Sequence, residues 1–194
     1  MARTKAFDKD LVLDKAVELF WKKGLHATSV QDLVSHLGIN RASLYDTFGD
    51  KESLYVAALE RYQAVAHKQM PAFPTQGEEV RSYIHGFLKA TVGGCKKDPE
   101  HKGCFLANSS ADSDGQPEAA QELLKRNMEG FVEKFSGLFG MARESGLVLS
   151  DQDDRALARQ LFAFVNGLQV LSRLDHDPAH LDAMVEAQLS MMFR

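Results

Sequence analysis

Three groups of side chains in this 194-residue sequence have the types and spacing to do chemistry. The first is thiol-based: Cys104 lies in Glu100-His101-Lys102-Gly103-Cys104-Phe105-Leu106, shortly after Lys96 and Lys97. Nearby cations and a helix amino terminus favour thiolate, the nucleophilic and oxidisable form, and Cys95 is the candidate resolving partner. The alternative is a buried cysteine acting as a small hydrophobe. The second group is His176 and His180, at metal-ligand spacing beside Asp175 and Asp177. Pro178 interrupts any shared helical face, so this stretch reads as a solvated connection and no metal is expected. The third group is polar and follows Gly38: Asn40, Arg41, Ala42 and Ser43, with Tyr45 and Lys51 close behind. Arg41 has the reach and fork to read a guanine edge, Ser43 is a shorter polar reader, and Ala42 can touch a thymine methyl. No phosphate-binding glycine loop, metal triad or nucleophile elbow accompanies these groups, so neither an enzyme nor a cofactor is expected.

The elements that must position the third group are short helices. Asp8 is a plausible N-cap, Val12, Ala16, Leu19 and Phe20 form one apolar stripe, and Gly24 stops the helix. Thr28-Ser29-Val30-Gln31 fits a capping box with Thr28 at the cap and Gln31 closing it, ahead of Leu33 and Leu37. Gly38 ends that second helix, Asn40 caps a third, and Asp50 opens a longer one through Leu54, Ala58, Leu59 and Tyr62. Two helices this brief cannot bury enough surface alone and must pack on the first and fourth, which is helix-turn-helix geometry. Beyond Pro71-Ala72-Phe73-Pro74, helices are expected over 76–97, 102–113, 118–145, 152–174 and 179–193. The fold class is all-α, about nine helices. It divides into a three-helix helix-turn-helix domain over 1–60 and a larger helical effector and dimerisation domain over 61–194.

The string TSVQDLVSHLGINRASLYDTFGDKESLY, from Thr28 to Tyr55, closely resembles the signature of TetR family transcriptional regulators. Thr28, Val30, Leu33, Leu37-Gly38-Ile39, Leu44-Tyr45, Phe48, Lys51-Glu52 and Leu54 carry the likeness; Val34 and Asp46 depart from it, and Asp46 sets a negative charge beside the expected DNA face. The resemblance implies base contact from Asn40, Arg41, Ala42 and Ser43. It implies phosphate contact from Thr28, Ser29, Tyr45 and Lys51, with Arg3 and Lys5 on an amino-terminal arm. It also implies an effector pocket, for which His85, Phe87, Phe105, Asn108, Asn127, Phe131 and Phe135 are the candidates, although aromatics at this spacing are usually core. Phe162, Val165, Leu168, Met184 and Leu189 are the candidate dimer interface. The Gly103-Cys104 pair resembles a subgroup of these regulators, some of which sense electrophiles or oxidants.

Charge agrees with a local DNA surface. Residues 1–67 hold nine Lys/Arg against nine Asp/Glu, so the net −4 falls entirely on residues 68–194. No apolar run approaches the ~18–20 residues that span a bilayer, and the first residues, MARTKAFDKD, lack the apolar stretch of a secretory signal. The expectation is a cytoplasmic DNA-binding regulator, a repressor released by a small ligand or by thiol modification. Its partners would be palindromic double-stranded operator DNA, a second copy as homodimer, and a small hydrophobic or electrophilic effector, with no membrane. The alternatives are a helical ligand-binding or adaptor protein without operator binding, and a thiol enzyme.

Overall fold

Side-chain caps decide where the first helices begin. The Asp8 carboxylate accepts from the Asp10 and Leu11 amides and starts α1, Lys9–Lys23, which ends at Gly24. Helix α2, Val30–Leu37, and α3, Arg41–Phe48, have eight residues each, too few to persist without partners. Leu33, Leu37 and Leu44 supply the burial that holds them, while Val12, Ala16, Leu19 and Phe20 form the inner stripe of α1 as its spacing requires. Helix α4, Lys51–Gln69, contributes Leu54, Tyr55, Ala58 and Leu59 to the same core. The Phe20 and Tyr55 rings meet edge to face at 5.2 Å, and Trp21 meets Tyr62 at 5.0 Å.

A 3-10 turn at Gly77–Glu79 leads into α5, Val80–Lys96, and the chain continues through α6, Phe105–Ala111, α7, Glu118–Glu144, α8, Asp154–Leu171, and α9, Pro178–Met192. This computed structural model describes residues 7–112, 114–149 and 151–194, and among them the architecture is all-helical, as expected. An antiparallel bridge, Val148 with Phe193, ties the carboxy terminus to the loop after α7.

By backbone proximity the described chain forms two compact units. One comprises the residues up to Gln69 together with Asn108–Leu124; the other comprises Met70–Ala107 and Lys125–Arg194. The division runs along different lines from an expected boundary at 60, because α4 continues unbroken to Gln69 and a later segment joins the first unit. The second unit has a continuous apolar core: Val80, Ile84, Leu88 and Val92 of α5, Phe135 and Phe139 of α7, Leu157, Leu161 and Leu168 of α8, and Leu181, Val185 and Leu189 of α9.

Candidate nucleic-acid interface

The second helix is capped one residue later than the sequence suggested. Ser29 Oγ accepts from the Asp32 amide at 3.0 Å, while Asp32 Oδ2 accepts from the Ser29 amide at 3.0 Å and from its hydroxyl at 2.8 Å. The capping box is therefore Ser29 with Asp32, not Thr28 with Gln31. Hydrogen bonds from the Ser29 backbone and hydroxyl, followed by Lys23 at 3.0 Å, hold the Asp32 carboxyl down at about 2 against an ordinary 3.8. Thr28 is fully buried, and its hydroxyl donates to the Gly24 carbonyl at 2.6 Å. The expectation of phosphate contact by Thr28 is thus corrected, and the Ser29 side chain is likewise committed to Asp32.

The turn and the third helix follow the sequence closely. Gly38 adopts the left-handed conformation, φ 71°, that lets the chain reverse after α2, and its amide donates to the Val34 carbonyl. Asn40 Oδ1 then accepts from the Ser43 amide at 2.8 Å and caps α3. With Leu44 fully buried and Ser43, Thr47 and Phe48 half-buried, the outward face of α3 consists of Arg41, Ala42, Tyr45 and Asp46. Asn40 is exposed at the start of that face. Asp46 shares it, so a carboxylate lies among the expected readers.

Lys51 has a further destination that the sequence did not imply. Its ammonium donates to the Leu25 and Thr28 carbonyls, both at 3.0 Å, and so clamps the α1–α2 loop to the start of α4. Two of its three donors serve the fold, so Lys51 has a structural role beside the phosphate contact that the resemblance implied. Asp50 does cap α4, accepting from the Ser53 amide at 2.7 Å, and that bond holds its carboxyl below the ordinary range. Arg61 grips Asp14 of α1 with two bonds of 2.7 and 3.1 Å. Arg3 and Lys5 lie outside the described residues.

In the second unit the expected pocket residues do not form one group. Phe87, Phe131 and Phe135 are together: Phe131 stacks on Phe135 at 4.1 Å, and Phe87 lies 5.3 Å from Phe135. Tyr83 and Phe73 extend this aromatic cluster beyond the sequence assignment, at 6.4 and 6.3 Å from Phe135. His85 instead faces Glu186 of α9 at 3.0 Å, beside Lys89, and Phe105 is buried. Asn108 belongs to the first unit and Asn127 is half-buried in the second. The family resemblance grouped all seven, and the sequence carries no information on which neighbour each helix face meets.

The candidate interface residues also divide. Leu168 and Leu189 are buried in the protomer's own core, so they are corrected to core residues; Phe162, Val165 and Met184 remain half-buried. Across α8, α9 and the loop between them, the exposed large apolar side chains are Val170, Leu171, Leu174 and Met191, the last two at 80% and 63% exposure. On helices with apolar residues on both faces, sequence period alone cannot separate inside from outside.

Around the thiols, Lys96, Lys102 and His101 have partners. Lys102 pairs with Glu100 at 3.2 Å and lies 3.8 Å from Asp98, Lys96 pairs with Asp182 at 3.0 Å, and His101 stacks on His176 at 3.7 Å. Cys104 is half-buried just ahead of α6. Gly103 before it has φ 70°, and a Cβ there would lie 2.9 Å from the Gln169 carbonyl, so conformation and close approach both require glycine. Cys95 lines a cavity of about 130 Å³ with Lys96, His101, Ser172, Asp175 and His176, and its thiol is 3.5 Å from Gln169 Oε1. His180 bonds Asp175 at 2.8 Å, while Pro178 occupies the first turn of α9.

Comparison with known proteins gives two family matches. The family "Bacterial regulatory proteins, tetR family" matches residues 12–58, and "Tetracyclin repressor-like, C-terminal domain" matches residues 82–188. The chain is 32% identical over 198 residues to "Uncharacterized HTH-type transcriptional regulator YezE" of Bacillus subtilis (strain 168), covering 99% of this chain and 100% of that one. It is 36% identical over 108 residues to the HTH-type transcriptional repressor ComR of Escherichia coli (strain K12), covering 55% of this chain and 51% of that one. Among solved structures, a cysteine mutant of the TetR family transcriptional regulator CifR complexed with 26 bp double-strand operator DNA superposes with a TM-score of 0.82. That match has 26% identity and covers 97% of this chain and 98% of that one.

Proposed function

The chain belongs to the TetR family of bacterial regulatory proteins and is a DNA-binding transcriptional regulator, and from that premise we propose that it is a cytoplasmic, dimeric repressor that reads a palindromic operator through α3. The observation that carries this reading is the outward face of α3, where Arg41, Ala42 and Tyr45 stand exposed and Asn40 is fixed at the amino-terminal end. That end is the part of a recognition helix that meets base edges. Arg41 reads a guanine, Ala42 touches a thymine methyl, and Asn40 and Ser43 contact neighbouring positions. The Tyr45 hydroxyl reaches phosphate. CifR, a cysteine mutant of which is complexed with operator DNA, supports the DNA partner, and the repressor ComR supports the sign of regulation.

Two copies associate through α8 and α9, with Phe162, Val165 and Met184 joined by the exposed Val170, Leu171, Leu174 and Met191. A two-fold pair presents two α3 helices to half-sites about one DNA turn apart. The effector is small and hydrophobic, and the cluster of Phe87, Phe131 and Phe135 supplies its aromatic wall. Electrophoretic mobility shift on the gene's own upstream DNA tests the reading. The parent should form a discrete complex that survives competitor DNA, and Arg41→Ala should lose about 5-fold to 150-fold of its sequence preference, the worth of one bidentate base contact. Absence of any complex would favour a ligand-binding or adaptor protein.

A second reading of the release step has one observation in its favour: Cys95, rather than Cys104, lines a cavity with Lys96 and His101. Thiol modification there would be the trigger, with Cys104 as its partner or bystander. Treatment with N-ethylmaleimide should then release DNA from the parent and from Cys104→Ser but not from Cys95→Ser; equal release from all three would eliminate it.

A further inference from the structure

Many charged side chains of the first unit are committed to the fold. Asp8 and Asp50 cap helices, Lys23 pairs with Asp32 at 3.0 Å, Arg61 with Asp14 at 2.7 Å, and Lys51 holds two carbonyls. Asp46 differs: it stands exposed on the outward face of α3, and no hydrogen bond or ion pair engages its side chain among the described residues. Its helical neighbours offer no cation, since Ala42 and Ser43 lie a turn before it and Gly49 and Asp50 a turn after. Arg41 carries the opposite charge on the same face. At ~100° per residue it is about 140° round the helix from Asp46, so the two flank Tyr45 and Ala42 instead of pairing.

Asp46 also opposes its own helix. Helices α1, α2 and α4 each place an acid in the first turn and a basic residue in the last, as the backbone dipole favours. Helix α3 has no acid in its first turn and no base in its last, and carries Asp46 toward the end where carbonyls point. Capping, packing, dipole and ion pairing therefore leave this carboxylate without a role in the fold, and the face it occupies is the one that meets a polyanion. In the major groove a carboxylate can only accept. Phosphates repel it, as do the acceptor edges of guanine and thymine; adenine sets its N6 donor beside the N7 acceptor, whereas cytosine presents the N4 amino donor alone.

We propose that Asp46 is a specificity-determining residue that accepts a hydrogen bond from the N4 amino group of a cytosine in each operator half-site. A charge that weakens binding to DNA in general thereby favours one sequence. This deepens the regulatory reading above and rests on it. The test is selection by the full chain from a pool of randomised duplexes, followed by binding isotherms on the selected duplex and on an unrelated one at matched salt. The parent should select a cytosine at one fixed position of each half-site, by about 5-fold over other bases, and Asp46→Ala should lose that preference. The same variant should bind the selected duplex about 5-fold more weakly and the unrelated duplex more tightly, because it loses a hydrogen bond on the first and only repulsion on the second. Asp46→Asn, whose amide matches adenine N6 and N7, should move the preference from cytosine to adenine. Tighter binding of both duplexes by Asp46→Ala, or a cytosine preference kept in it, would reduce Asp46 to a repulsive charge, and weaker binding of both would make its role structural. Each of these overturns the cytosine contact alone. Failure of the parent to select any sequence overturns it together with the DNA-binding reading.

Discussion

The two units are held together by different means. In the first, the eight-residue α2 and α3 are placed by the Ser29 and Asn40 caps, and α4 by the Asp50 cap, the Lys51 ammonium on two carbonyls and the Arg61–Asp14 pair, around a core that includes Leu33, Leu37, Leu44, Leu54 and Phe20. In the second, longer helices lie on a continuous apolar core that includes Phe135, Phe139, Leu161 and Leu168. Apolar burial scales with area and is indifferent to direction, so it stabilises strongly but fixes orientation weakly. Caps and ammonium–carbonyl bonds contribute less each but set direction, which is what a helix entering a groove needs. The DNA-binding unit is organised for aim, and the other for bulk stability.

That contrast breaks first at the core. Phe135→Ala should destabilise the second unit by about 3–5 kcal/mol, seen as a lowered denaturant midpoint, with the melting of the first unit following only if the two unfold together. A loss below ~1 kcal/mol would mean that the aromatic cluster around Phe135 is loosely packed. Next in size is the assembly surface. Val170→Glu or Leu174→Glu adds a charge to residues exposed in the protomer, so folding should survive while sedimentation shows dimers dissociating roughly a hundredfold more readily, the effect of burying an unpaired ion. Unchanged sedimentation in both would place the interface elsewhere.

A sharper discrimination comes from Lys51→Met. The methylene stem stays and the two carbonyl bonds go, so stability should fall by about 1.5–3 kcal/mol. If the third donor also reaches phosphate, the slope of log affinity against log salt becomes shallower by about one ion; stability intact would remove the structural role. The smallest effect is on the α2 cap. Asp32 has its ionisation lowered to about 2 in the fold, so its contribution is fully present above the unfolded value near 3.8 and is lost as pH falls through about 2. An NMR titration of the Asp32 carboxyl should show that midpoint in the parent and one raised only part of the way toward 3.8 in Ser29→Ala, which removes the hydroxyl but keeps the backbone amide and Lys23. A midpoint already near 3.8 in the parent would remove Ser29 as the cause.

Local signals were legible without a structure. Asp8, Asn40 and Asp50 cap their helices and Gly24 and Gly38 end theirs, because each depends on hydrogen bonds within a few residues and on conformations that only some side chains adopt. The stripe of Val12, Ala16, Leu19 and Phe20 was equally readable, since one helix period fixes which residues share a face. Neighbouring candidates for one role were harder: Thr28 and Ser29 both suit a cap, and the choice fell to Ser29 because the Thr28 hydroxyl turns back to Gly24.

Tertiary structure alone decided what each face meets. Leu168 and Leu189 turned inward while Leu174 and Met191 turned outward, although all four are apolar and on the last two helices or the loop between them. Lys51 was claimed by carbonyls more than twenty positions earlier, and Tyr55 by Ser109 and Gln116 more than fifty later. Propensity and period are properties of the local chain, and sequence therefore determined the helices, their ends and the outward polar run on α3. The partner of a long side chain or an apolar face is chosen among distant segments by competition for burial and hydrogen bonds, and only the assembled fold records the outcome.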